Sequence, residues 1–223
     1  MNKTLFEIAY ILDRSGSMSG LVEPAIAGFN RFLKEQQDAP GDARFSLVLF
    51  DDEYLVPHRS QPIGEVPPLD TNTYVPRSMT ALLDAIGRTI TDLGKQLTAL
   101  PEKDRPGQVI VAIFTDGLEN ASTDYDLKKI AKMIKHQQDA YKWTFLFLGA
   151  NQDAIASAAQ MGIHRANSST VQYSKKGMKS SSASLSRKMS AMRQYASTGE
   201  KDADYESPLE QIVKEEEDNA DQN

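Results

Sequence analysis

The sequence has no cysteine. Disulfides, thiolate zinc sites, iron–sulfur clusters and cysteine nucleophiles are excluded together. A chain of 223 residues without a disulfide suits a reducing compartment, so a cytoplasmic location is expected. Histidine is scarce: His58, His136 and His164 are the whole supply. No apolar run approaches the ~20 residues of a membrane-spanning helix. The apolar start of the chain is interrupted by Glu7, ends at Asp13 and lacks a small-residue cleavage pattern, so neither a secretory leader nor a membrane partner is expected. Nor is there an excess of positive charge. The net charge is −6, but residues 200–223 hold ten acids and two bases, which leaves the remainder at +2. A near-neutral body gives no case for nucleic-acid binding.

What the chain does have is a repeated alternation of apolar runs and helical stripes. LFEIAYIL (5–12), FSLVLF (45–50), VIVAIF (109–114) and WTFLFLG (143–149) read as buried strands. Residues 54–58 read as a return strand of a hairpin, and 170–173 as a short last strand. Helical stripes follow from about residue 21 to Pro40-Gly41, from Thr80 to Leu97, after the Thr123/Asp126 capping-box spacing, and over 151–161. Residues 174–196 are rich in Ser and Lys. Met178, Leu185, Met189, Met192 and Ala196 nevertheless share one helical face, with the basic residues expected on the solvated side. Trp143 and Met161 read as core. From 198 onward large apolar side chains are few, and a solvated, flexible acidic tail is expected after a domain of residues 1–197. This alternation predicts an α/β fold: a doubly wound, mostly parallel central sheet with one antiparallel edge strand and helices on both faces.

In such sheets ligands sit beyond the carboxyl ends of the strands. Two polar signatures lie there, Asp13-Arg14-Ser15-Gly16-Ser17 and Thr115-Asp116-Gly117. Their oxygens are hard ligands, suited to Mg²⁺, with Mn²⁺ or Ca²⁺ as alternatives. A serine nucleophile would need a base. The three histidines fall on a return strand, late on a helix and after another helix, and GSMSG places Met18 where a nucleophile elbow needs Ser. No phosphate-binding G-x-x-x-x-G-K-[ST] occurs, and no G-x-G-x-x-G opens a helix after the first strand. Asp13 and Asp116 could serve metal-assisted phosphoryl chemistry, as in haloacid-dehalogenase-like phosphatases. Those enzymes typically want a second Asp where this chain has Ser15, which leaves a metal-dependent hydrolase or phosphatase as the alternative reading. Asp51, Asp52, Glu119, Asn120, Asn151, Gln152 and Asp153 also follow strands, as turn and cap formers or as partner-specificity residues, with capping favoured for Asp153.

These blocks together resemble a von Willebrand factor A domain, also called the integrin I fold, with its metal-ion-dependent adhesion site. The D-x-S-x-S block is Asp13-Arg14-Ser15-Gly16-Ser17, the family's distant Thr is matched by Thr80 in MTALLDAIG, and its distant Asp by Asp116 in FTDGLEN. The resemblance spans roughly residues 4–196. One departure is Ser78, where many members carry Gly. The resemblance implies a divalent cation held by Asp13, Ser15, Ser17, Thr80 and Asp116, the serines directly and the others directly or through water. It also implies an open coordination position for an Asp or Glu of a partner protein, and a non-enzymatic, stand-alone intracellular module of a bacterium or phage. The expected partner is an assembly or ATPase subunit. Related members shift their last helix between closed and open coordination, which here would be about 178–196.

Overall fold

The computed structural model describes residues 1–150 and 153–221. Its strands are β1 (Asn2–Asp13), β2 (Ala43–Phe50), β3 (Tyr54–Pro62), β4 (Pro106–Thr115), β5 (Thr144–Gly149) and β6 (Ser168–Thr170). Its helices are α1 (Val22–Asp38), α2 (Leu82–Ala99), α3 (Leu127–Tyr141), α4 (Ala154–Gln160), α5 (Lys175–Thr198), α6 (Ala203–Glu206) and α7 (Leu209–Asp221). The strands form one sheet in the order β3-β2-β1-β4-β5-β6, parallel except for β3, which returns antiparallel to β2. This is the doubly wound α/β architecture that the alternation predicts. Among the described residues no helix is long and apolar enough to cross a membrane.

Side-chain alternation along β1 assigns the layers. Phe6, Ile8, Tyr10 and Leu12 face α1 and α5, together with Phe29, Phe32, Leu185 and Met189. Ala9 and Ile11 face the other layer, with Ile86, Ile90 and Leu93 of α2 and Ile130 and Ile134 of α3. Trp143 and Met161 are buried in that second core. Because β1 and β4 are neighbours, with the connection from β1 going to β2 on one side and that from β4 going to β5 on the other, the chain leaves their ends in opposite directions. The switch point therefore lies between the carboxyl ends of β1 and β4.

Several boundaries differ from expectation. The last strand is Ser168–Thr170, earlier than 170–173, where it pairs with β5. Asp126, not Thr123, caps α3: its carboxylate accepts from Lys129 N, while Thr123 N donates to Asp84. Asp153 occupies the N-cap position of α4 but makes no side-chain capping bond. Asn151 and Gln152 lie outside the described residues.

The larger corrections concern α5 and the segment after it. Residues 203–221 are not a solvated tail. Leu209, Ile212 and Val213, at helical spacing, are buried against α5 and β6. The acids that made this segment look like a tail lie elsewhere on it, and three of them, Asp204, Glu215 and Glu216, converge on Arg187 at 2.6–2.9 Å. The bases of α5 are not all on a solvated face either. Lys188 is buried and donates to the carbonyls of Asp204, Tyr205 and Ser207. Arg193 is 1% exposed and donates to the carbonyls of Gln36, Ala39 and Gly41, at the carboxyl end of α1. A cation there satisfies helix-terminal carbonyls and complements the helix dipole. Neither role can be read from helical periodicity, because both depend on which chain end lies opposite.

Two consequences are measurable. Ile212→Ala should lower the unfolding free energy by about 2–5 kcal/mol in denaturant titration, as for other buried aliphatic truncations, whereas a solvated tail would give almost none. Glu7, buried in β1, accepts from Ser60 at 2.8 Å, and burial pushes its carboxyl up to about 7 despite that bond and the Arg44 charge. A carboxyl raised from 4.5 in the folded state contributes stability that is complete below pH 4.5 and lost as pH rises through 7. The stability of wild type relative to Glu7→Gln should therefore fall by about 2–3 kcal/mol between pH 4.5 and 8.

Candidate metal centre

Asp13 is the last residue of β1 and is fully buried. The pairing of Leu12 with Phe114 sets it beside Thr115, the last residue of β4. The Thr115 hydroxyl donates to Asp13 Oδ2 at 2.5 Å, and Ser15 N donates to Oδ1 at 2.7 Å. The Tyr74 hydroxyl holds the Asp13 carbonyl at 2.6 Å. Asp13 is thus fixed through both carboxylate oxygens and its backbone carbonyl.

The turn after Asp13 is a short 3₁₀ segment from Gly16 to Leu21, held by Gly16 N donating to Ser78 O and Met18 N to Ser15 O. It brings Ser15 Oγ and Ser17 Oγ within 3.1 Å of each other, and Ser17 Oγ donates to Asp116 Oδ1 at 2.8 Å. Ser19 is outside this row and turns back to Gly16 O.

Thr80 arrives just before α2. Its backbone is pinned on both sides, N to Asn120 Oδ1 at 2.9 Å and O to Asn120 N at 3.0 Å. Its hydroxyl lies against the turn that follows Asp116, where residue 117 has to be Gly: a Cβ there would stand 2.8 Å from Thr80 Oγ1. Ser78 has φ 55°, in the left-handed region, which gives the preference for Gly at this position a physical reason. This chain keeps Ser there, and its side chain hydrogen-bonds Asp52.

The structure therefore gathers all five residues singled out from the sequence at the switch point. Asp13, Ser15 and Thr80 are buried, while Asp116 is half-buried and Ser17 opens to solvent. Asp116 Oδ2 is buried without a hydrogen-bond partner. Burial and the neighbouring Asp13 charge push the Asp116 carboxyl up to about 6, and burial raises Asp13 as well, against the bonds from Thr115 and Ser15. Two carboxylates and three hydroxyls in one cleft, one carboxylate oxygen lacking a donor, form a hard-oxygen set that a divalent cation fits. Among the described residues no group of three or more His, Cys, Asp or Glu could hold a metal, so any such site depends on the hydroxyls.

Four further residues support the site, of which Asn120 was marked in the sequence only as a turn former or partner-specificity residue. Thr115 was visible only as part of a T-D-G turn. Tyr74 and Asn120 act from loops, and the Tyr173 hydroxyl holds the Ser17 carbonyl from the segment before α5. The acids left open have structural partners. Asp51 is buried between Arg14 and Arg77, and Glu119 accepts from Leu83 N, Ala121 N and Ser122 N. His58 lies on β3, His136 on α3, and His164 accepts from Ala166 N through its ring.

No protein-family model and no curated protein matches the sequence. Solved structures do. A von Willebrand factor type A structure from Catenulispora acidiphila is 14% identical with a TM-score of 0.54, covering 83% of this chain and 42% of its own. Manganese-loaded TRAP from Plasmodium vivax is 15% identical with a TM-score of 0.54, covering 78% and 70%. Proximal thread matrix protein 1 of the mussel byssus, with zinc at its MIDAS motif, is 15% identical with a TM-score of 0.56, covering 83% and 46%. The chain spans less than half the length of the mussel and Catenulispora chains. These likenesses establish the fold: the chain has the von Willebrand factor A architecture.

Asp116 provides the test of the electrostatics. In metal-free protein at pH 7.5, Asp116→Asn should raise the thermal midpoint by removing one of two crowded charges. Adding MnCl₂ should raise the midpoint of wild type only. A folded-state pKa near 6, above the ordinary 3.8, means that Asp116 disfavours the metal-free fold as pH rises through 6. Below pH 6 the proton competes with the cation, so the gain from MnCl₂ should shrink there.

Proposed function

We propose that this protein is a non-enzymatic, divalent-metal-dependent protein-binding module. Asp13, Ser15, Ser17, Thr80 and Asp116 would hold the ion as a metal-ion-dependent adhesion site, with Mg²⁺ as the ordinary occupant and Mn²⁺ or Ca²⁺ as substitutes. The observation that carries this reading is the buried, unpartnered Asp116 Oδ2 in a cleft shared with Asp13 and three hydroxyls. A cation would satisfy that oxygen and neutralise two carboxylates whose proton affinities burial has raised.

The bound ion would supply a Lewis-acidic position open to an oxygen from outside the chain. This chain's residues determine which oxygen enters. Ser17 and Asp116 lie at the exposed side of the cluster, so access is from the rim and suits an Asp or Glu side chain of a partner protein. Metal at the MIDAS motif of the mussel protein and manganese in the Plasmodium protein support the assignment by likeness of fold. The absence of cysteine fits a reducing cytoplasm, and with it an intracellular assembly, such as an ATPase complex of a bacterium, as the setting.

Hydrolysis is disfavoured by chemistry at the same residues. The place of a second catalytic acid is taken by Ser15, whose hydroxyl bonds Ser17 and Asp13 and cannot itself act as a carboxylic acid or carboxylate base.

Titration calorimetry with MgCl₂ and MnCl₂ should show saturable binding to wild type and none to Asp13→Ala. Pull-downs should then yield a partner that wild type retains in Mg²⁺ and that both EDTA and Asp13→Ala release. Equal heats for the two proteins would overturn the metal assignment. Turnover of small phosphate esters lost in Asp13→Asn would replace the binding role with catalysis.

A further inference from the structure

Large apolar side chains are rarely left in water without reason when they gather in one place. Eight are exposed among the described residues, and Met79, Leu118 and Tyr173 are among them at 55%, 63% and 50%. Each adjoins a metal-site residue. Met79 precedes Thr80, Leu118 lies two residues after Asp116, and the Tyr173 hydroxyl bonds the Ser17 carbonyl. A fourth, Leu127, opens α3 at 37% exposure, although its helical spacing predicts an inward position. None of the four belongs to either core.

Leu118 and Leu127 are also two walls of a groove of about 190 Å³. Thr115 and Gly117, which flank Asp116, form its near end, and Phe147 and Met161 are among its other lining residues. The groove is thus mainly apolar and begins at the turn that delivers the Asp116 carboxylate. Its volume suits one aliphatic or aromatic side chain and is too small for a helix.

We propose that this groove is the specificity pocket of the metal centre, and that it takes one Leu, Met or Phe side chain from the same partner segment that presents the acidic residue. The inference rests on the metal reading above and adds to it the kind of partner. The carboxylate would meet the cation, and an apolar neighbour would cover Leu118 and Leu127. A segment with acids alone would leave that patch wet. Burying one such side chain strengthens binding by about tenfold or more.

The test uses the full chain in MgCl₂ and immobilised synthetic octapeptides with Glu at a fixed position. Leu, Met, Phe, Ala, Ser or Lys stands one to three residues to either side. Peptides pairing Glu with Leu, Met or Phe at a preferred spacing should bind about tenfold more tightly than their Ala counterparts. That binding should vanish in EDTA and with Gln in place of Glu. The double variant Leu118→Ser, Leu127→Ser alters exposed side chains only, so its melting curve and Mg²⁺ titration should match wild type. It should lose the apolar preference and keep weak Glu-dependent binding. Glu- and Mg²⁺-dependent binding that ignores the neighbouring residue, or a preference that survives the double variant, would overturn the pocket and leave the metal reading standing. Binding that follows the apolar residue but not Glu or Mg²⁺ would overturn the metal reading. No Mg²⁺-dependent binding by any peptide would overturn both.

Discussion

The hydroxyl of Thr115 donates to Asp13 across the boundary between β4 and β1, and most of the site depends on that contact. It exists because β1 lies between β2 and β4, so that the ends of β1 and β4 are neighbours and the chain leaves them in opposite directions. The crevice this opens is where polar groups can be buried without being covered by a helix. Asp13 is anchored in it through both carboxylate oxygens and its carbonyl. Asp116 is not, and one of its oxygens has no partner. The two acids thus divide the work: one is preorganised, the other is left with unmet demand. A cation is the simplest way to answer both the unmet lone pairs and the crowded charge.

The rest of the molecule holds this crevice in shape. Asn120 ties the loop after β4 to the backbone of Thr80, and Asp51 ties the loop after β2 to Arg14 and Arg77. On the other layer α5 is fastened to the end of α1 by Arg193 and covered by α7, whose acids hold Arg187. The polar segments that look most like surface in the sequence are thus what fix the position of the helix behind the sheet. Any displacement of α5 would have to break these carbonyl and carboxylate contacts.

The legible parts and the hidden parts differ in a physical way. Asp13, Ser15, Ser17 and Asp116 were legible because strand ends are marked by local patterns, and such ends converge by the rules of a doubly wound sheet, whereas Thr80 was picked out only by the family resemblance. Tyr74 and Tyr173 were not, and the role of Asn120 was left open, because each reaches a carbonyl or amide far along the chain from an irregular loop. The acidic segment misled for another reason. Composition averages over all faces of a helix, and three buried residues, Leu209, Ile212 and Val213, decide whether it docks. Leu127 is the opposite case: it shares the helical spacing of the buried Ile130 and Ile134, yet stays 37% exposed at the start of α3.

By itself the sequence determined the α/β alternation and placed the oxygen-bearing Asp13, Ser15, Ser17 and Asp116 at strand ends, since these come from local periodicity and residue type, while Thr80 joined them only through the resemblance to a known family. Only the tertiary structure decided that Asp116 would keep an unpartnered oxygen, that Gly117 would let Thr80 come close, and that buried Arg193 and Lys188 would bind carbonyls. It also decided that Leu118 and Leu127 would face a groove instead of a core. The reason is common to all four: burial and partnership belong to pairs of surfaces, and a sequence specifies each surface without naming the other.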